Sequence, residues 1–181
     1  LLTRLRAAVR IPVAMKLSPF FSALPHFVAR LEAAGAAGVA LFNRFYQPDI
    51  DLDRRSVVDA LHLSSPDEVL LRLRWLAILR GQTAMTLAAT GGVHGAADAL
   101  KLLLAGADVV HLASSLLRHG PGRLRDILAG MEVWMEENEY DSVGQMKGSM
   151  SLTKLPDPSA VVRESYVSVL SQFSPPPGVE F

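Results

Sequence analysis

The sequence predicts an α/β chain of (β/α)8 TIM-barrel type, covering about the last four β/α units. Three observations lead there. Short apolar runs and helical patterns alternate in the order β-α-β-α-β-α-β-α, which calls for a parallel sheet with right-handed crossovers. The strands read as near-continuous apolar runs, as strands covered on both faces do. Two consecutive strands end in small residues, Ala88-Ala89-Thr90-Gly91-Gly92-Val93 and His111-Leu112-Ala113-Ser114-Ser115. That is the layout of a phosphate site built by the last two loops of a barrel.

The chain begins Leu1-Leu2-Thr3-Arg4, inside an amphipathic pattern formed by Leu2, Leu5, Ala8 and Val9. The pattern reads as the end of a helix begun upstream, and so as the truncation of a longer protein. A chain of 181 residues suits either a compact open α/β domain or half of a barrel. The interrupted first helix and the missing initiator Met favour the half. Ile11 to Leu17 forms the first strand, with Lys16 near its end. Pro25 to Ala34 carries Phe27, Val28, Leu31 and Ala34 at helical spacing, bracketed by Gly35 and Gly38. Val39 to Phe42 is the second strand and stops at Asn43. Residues 44–65 are polar and irregular, and a connection of that length tends to be functional.

Ser65-Pro66-Asp67-Glu68 opens the next helix, with Ser at the N-cap, Pro at N1 and a capping-box spacing to Glu68. Its apolar face holds Val69, Leu73, Leu76 and Leu79. Met85 to Ala89 is the third strand. Ala96 to Ala105 is a helix carrying Ala97, Leu100, Leu103 and Leu104, stopped by Gly106. Asp108 to Leu112 is the fourth strand, and Leu124, Ile127, Leu128, Met131 and Met135 mark the last good helix. The chain thus divides into a barrel region, 1–150, and an irregular tail, 151–181, with Ser174 to Phe181 expected to be disordered.

Eighteen basic residues balance eighteen acidic ones, which points away from nucleic-acid partners. The absence of cysteine excludes disulfides, Cys-based metal sites and a Cys nucleophile within this chain. No apolar run is long enough to span a membrane, and no signal-peptide pattern is present. His26, His62 and His119 have no metal-ligand spacing, so no metal is expected. His94 reads as a helix cap, and Trp75 and Trp134 read as core or interface residues.

Chemistry-bearing residues collect at the strand ends, which in parallel α/β folds face the ligand. Lys16, Asn43, Thr90 to Gly92, and Ser114 with Ser115 are therefore expected to share one mouth. Gly91 and Gly92 suit either a tight strand-to-helix turn or a loop whose N–H groups approach a phosphate. Lys16, in an otherwise apolar strand, reads as an active-site cation rather than a snorkelling end residue. Asn43 offers one acceptor and two donors, suited to a planar amide-like ligand or to capping a loop.

The stretches VAMKLSPFF, GVALFNRFYQPDIDL, LAATGGVHGAADALKLLLAGADVV and LASSLLRHGP together resemble the second half of a dihydroorotate dehydrogenase-like protein. The resemblance covers about residues 8–150 and implies a cytoplasmic, FMN-dependent oxidoreductase, a homodimer in full-length form. Its small-molecule substrate would be a dihydropyrimidine such as dihydroorotate, in pyrimidine biosynthesis. It implies that Lys16 lies beside the flavin ring, where its cation answers charge building near N1/O2. It also implies that Asn43 hydrogen-bonds the substrate, and that Thr90, Gly91, Gly92, Ala113 and Ser114 hold the FMN phosphate. Arg44 stands where the family usually carries Ser or Thr, and an extra cation there would suit a larger or more anionic substrate. Leu63-Ser64-Ser65 replaces a Gly-rich loop. The family's catalytic base lies in the other half of the barrel, so this chain is expected to lack the complete site. Two other readings stay open: a phosphosugar isomerase or lyase barrel using Lys16, and a non-catalytic half-barrel.

Overall fold

The computed structural model describes residues 1–44, 46–158 and Ser174. Four strands, β1 (Ala14–Leu17), β2 (Gly38–Leu41), β5 (Thr86–Thr90) and β6 (Val109–His111), form one sheet in the order β1-β2-β5-β6. All three pairings are parallel. The crossovers carry α2 (Leu24–Ala33), α3 (Val69–Leu79) and α4 (Ala96–Ala105), while α1 (Leu2–Ala8) precedes β1 and α6 (Arg123–Glu137) follows β6. This is the predicted order of units, and among the described residues the sheet does not close into a barrel.

Strand residues alternate between two environments. Leu17, Val39, Leu41, Leu87 and Ala89 point to the helices and are at most 5% exposed. Ala14, Lys16, Thr86, Val109 and His111 occupy the other face and are exposed. On that face only the small central residues Gly38 and Ala88 are buried, so among the described residues the expectation that both faces are covered is corrected. Ala14, Gly38, Ala40 and Ala88 made the strands read as wholly apolar, yet these small residues have little surface to bury.

The long connection after β2 also departs from the irregular reading. It contains a hairpin of β3 (Asp49–Asp51) and β4 (Ser56–Val58), too short and too charged to show as strands. A short helix, α5 (Ser114–His119), follows β6 directly. In α3 the buried face includes Arg72 beside Val69, Leu76 and Leu79, and Leu73 is only half-buried. Ala97 of α4 and Leu124 and Leu128 of α6 are exposed rather than core residues. Trp75 packs half-buried against the main core, and Trp134 stacks on Tyr140 with ring centroids 5.8 Å apart.

The segment after Tyr140 is irregular but tied down. It begins with α7 (Val143–Met146), whose Met146 is fully buried. Gly148 and Met150 donate backbone N–H groups to Leu103 and Leu104, and Leu152 donates to Ala77. The packed body therefore extends past residue 150. The tail from Ser174 to Phe181, expected to be disordered, lies outside the described residues apart from Ser174.

Candidate functional site

Parallel strands bring their C-terminal ends to one rim. There the chain forms a cleft of about 130 Å³ whose lining includes Lys16, Arg44, Thr90, Gly91, Gly92, Ala113 and Ser114. Phe42, Ser64, Glu68, Arg72, Val93, His111 and Leu112 complete the walls. Asn43 borders the adjoining cleft, of about 340 Å³, with Phe20, Gln47 and Leu71; Arg44, Glu68 and Arg72 wall both clefts. Lys16, Thr90, Gly91, Gly92, Ala113 and Ser114 are thus gathered at one cleft, with Asn43 one cleft away. Ser115, expected at the same mouth, is instead fully buried at the start of α5 and lines neither cleft.

Backbone bonds lock the rim. The Asn43 N–H donates to the Leu17 carbonyl at 2.6 Å, and the Phe42 N–H to the Thr90 carbonyl at 3.4 Å. Gly91 and Gly92 have φ of +94° and +84°. A Cβ on Gly91 would lie 2.8 Å from Arg72 Nη2, and one on Gly92 2.6 Å from the Val69 amide nitrogen. Positive φ at both positions, with the backbone at the start of α3 against Gly92 and the Arg72 guanidinium against Gly91, therefore favours glycine whatever the loop binds. Lys16 is exposed on the uncovered sheet face, so the cost of burying a lysine does not decide its role. Among the described residues it makes no ion pair.

Three site roles escaped the sequence, which marked Glu68 only as a capping-box acid and Ser64 only as part of a loop. The Arg72 guanidinium, 7% exposed, donates from Nε to the Thr90 carbonyl at 3.0 Å and from Nη1 to the Glu68 carbonyl at 2.7 Å. Its Nη2 lies 3.4 Å from the Glu68 carboxylate, and burial pulls the guanidinium below its usual range while Glu68 opposes that shift. The second feature is Glu68 itself, ion-paired to Arg44 and reached by the Ser65 N–H at 3.3 Å. Burial pushes the Glu68 carboxyl up, but Arg44, Ser65 and Arg72 outweigh burial and hold it below the ordinary value. The other half of the expected capping box is made by backbone: the Glu68 N–H donates to the Ser65 carbonyl at 3.2 Å. Third, Ser64 ties two loops together. Its N–H donates to Ser114 Oγ at 3.0 Å, and its hydroxyl lies 3.2 Å from His94 Nε2. Asp98, not His94, caps α4 by accepting from the His94 and Gly95 N–H groups at 2.9 Å each.

The family model for dihydroorotate dehydrogenase matches residues 1–135. The chain belongs to the dihydroorotate dehydrogenase family. Among its relatives, the dihydroorotate dehydrogenase B (NAD(+)) catalytic subunit of Thermoplasma volcanium is 26% identical over 151 residues, covering 82% of this chain and 50% of that protein. Dihydroorotate dehydrogenase A (fumarate) of Lactiplantibacillus plantarum is 34% identical over 134 residues, 72% of this chain and 44% of that protein. The catalytic subunit of dihydroorotate dehydrogenase B (NAD(+)) from Pelobacter propionicus is 32% identical over 150 residues, 80% of this chain and 48% of its own length. The chain spans about half the length of the curated relatives it matches. Membership accounts for the parallel sheet, a partial barrel with one face uncovered among the described residues. No helix among the described residues is long and apolar enough to cross a membrane.

Proposed function

We propose that this chain carries the phosphate end of an FMN site in a dihydroorotate dehydrogenase-like oxidoreductase that oxidises a dihydropyrimidine. The observation that carries the reading is the convergence of Lys16, Thr90, Gly91, Gly92, Ala113 and Ser114 on one cleft. The donor set fits a phosphate monoester. Lys16, Arg44 and Arg72 bring three cations against the single carboxylate of Glu68, and Ser64 and Ser114 add hydroxyls. A volume of about 130 Å³ suits a phosphate rather than a whole cofactor, for which pockets run to roughly 300–1,000 Å³. Lys16, exposed on β1 at the same rim, would hold the flavin end of the cofactor.

FMN bound there would supply a two-electron acceptor for the hydride leaving C6 of the ring. The Lys16 ammonium stabilises negative charge that develops near it. The Asn43 amide gives a donor and an acceptor to the edge of the pyrimidine. The Ser64–Ser114 bond keeps the two phosphate-side loops in register. The proton from C5 needs a base, and with no cysteine in this chain a thiol base would come from outside it.

Flavin fluorescence tests the reading. FMN should quench saturably on titration with the folded chain, and riboflavin, which lacks the phosphate, should bind far more weakly. Ser114→Glu adds a carboxylate at a helix start that tolerates acids and should remove the preference for FMN, with an unfolding midpoint equal to wild type showing that loss of the Ser64–Ser114 bond is not the cause. Equal binding of FMN and riboflavin, or none by a folded chain, rejects the proposal. Borohydride trapping of a sugar phosphate on Lys16 would install the lyase reading in its place.

A further inference from the structure

We propose that Arg44 is the cation that selects acidic substrates at this mouth, and that Glu68 is its exchangeable counter-ion, replaced when a substrate carboxylate or phosphate arrives. Arg44 borders three adjoining clefts: the phosphate cleft, the Asn43 cleft, and one lined by Tyr46, Gln47, Leu61 and His62. Of the three side chains that wall both the phosphate cleft and the Asn43 cleft, Arg44 is the cation that also lines the third.

The two arginines at Glu68 are held very differently. Arg72 is buried and donates to two backbone carbonyls, so moving it would break a 3.0 Å bond to Thr90 and a 2.7 Å bond to Glu68. Arg44 is 33% exposed, and Glu68 is its one partner among the described residues. Glu68, in turn, has reserves. When Arg44 turns away, its carboxylate keeps the Ser65 N–H at 3.3 Å and Arg72 Nη2 at 3.4 Å. Exchange therefore leaves no carboxylate unpaired, and the free guanidinium fork presents parallel donors that match a carboxylate or phosphate.

The substrate class rests on the dihydropyrimidine reading for its ring alone; the acid-binding cation does not. Binding of orotate to the purified chain is measured by calorimetry, with uracil as the neutral ring and malonate as an acid without a ring. Arg44→Gln should weaken orotate about tenfold, Arg44→Lys should recover part of that, and uracil should be unmoved. Glu68→Gln keeps a residue that can complete the cap, frees Arg44, and should strengthen orotate several-fold. A merely structural ion pair makes the opposite forecast, because both substitutions would then weaken binding together. Equal signs in the two variants, no change in either, or no anion binding by the folded wild-type chain overturns the proposal. If malonate shows the opposed signs and orotate binds no better than malonate, Arg44 stands as the acid-selecting cation and the pyrimidine reading falls.

Discussion

A methyl group on Gly92 would sit 2.6 Å from the Val69 amide nitrogen, on a residue whose φ is +84°. Strain and overlap act together there, so Gly92→Ala should destabilise the chain by about 1–3 kcal/mol in urea unfolding. Gly122 is the control: it has ordinary φ and nothing within 4 Å of its Cβ position, so Gly122→Ala should stay within about 0.5 kcal/mol. Asp108 gives a second prediction, one that depends on pH. Burial pushes its carboxyl up, but Arg80, Lys147 and the Leu87 N–H more than reverse that and bring it to about 2. The contacts are 2.8 Å to Arg80 Nη2, 2.7 Å to Lys147 Nζ and 2.9 Å to the Leu87 nitrogen. A carboxyl whose folded value is depressed stabilises the fold fully above its unfolded value near 3.8. That stabilisation is lost as pH falls from about 4 to about 2. Asp108→Asn should cost about 1.5–3 kcal/mol at pH 7, and the gap from wild type should narrow across that window. A constant gap would remove Asp108 as its source.

At the scale of elements, α4 and α6 cross where Gly130 faces Ala96, and a Cβ on Gly130 would lie 2.9 Å from the Ala96 Cβ. Gly130→Val should therefore force the helices apart and cost about 1–3 kcal/mol, seen as a lower unfolding midpoint. The same scale shows what periodicity could and could not reveal. β2, β5 and α4 were readable because Val39 to Leu41, Leu87 to Ala89, and Leu100 with Leu103 bury the residues that repeat. The β3–β4 hairpin was hidden because Asp49-Ile50-Asp51 buries neither face of its pleat. α5 was hidden because six residues show less than two turns. The site was half readable. Lys16, Asn43 and the two glycines stand where strands stop, a position the alternation of elements marks. Arg72 was missed because an arginine within a helix reads as a solvated face. Its partners are the Thr90 and Glu68 carbonyls, and no side-chain pattern reports a backbone acceptor 18 residues away. The Arg44–Glu68 pair, 24 residues apart, is set by tertiary contact alone.

At the scale of the whole molecule, the four-stranded sheet has, among the described residues, one uncovered face and two unpaired edges, β1 and β6. An exposed parallel edge offers free N–H and C=O groups to other chains. The isolated chain should therefore sediment as species larger than 19.6 kDa, increasingly so with concentration. Val109→Lys, which charges the open face beside the β6 edge, should shift that equilibrium towards the monomer; a strictly monomeric wild type would contradict this. The connection from β2 to β5, which holds the hairpin, is roughly twice as long as its neighbours. Closing a loop twice as long costs only about 0.6 kcal/mol in entropy. The pairing of Leu41 with Ala89 is therefore almost indifferent to how many residues lie between them. Insertions and deletions can accumulate at this rim over evolutionary time while strand register is kept. Descent can thus reshape what enters the mouth without refolding what lies beneath it.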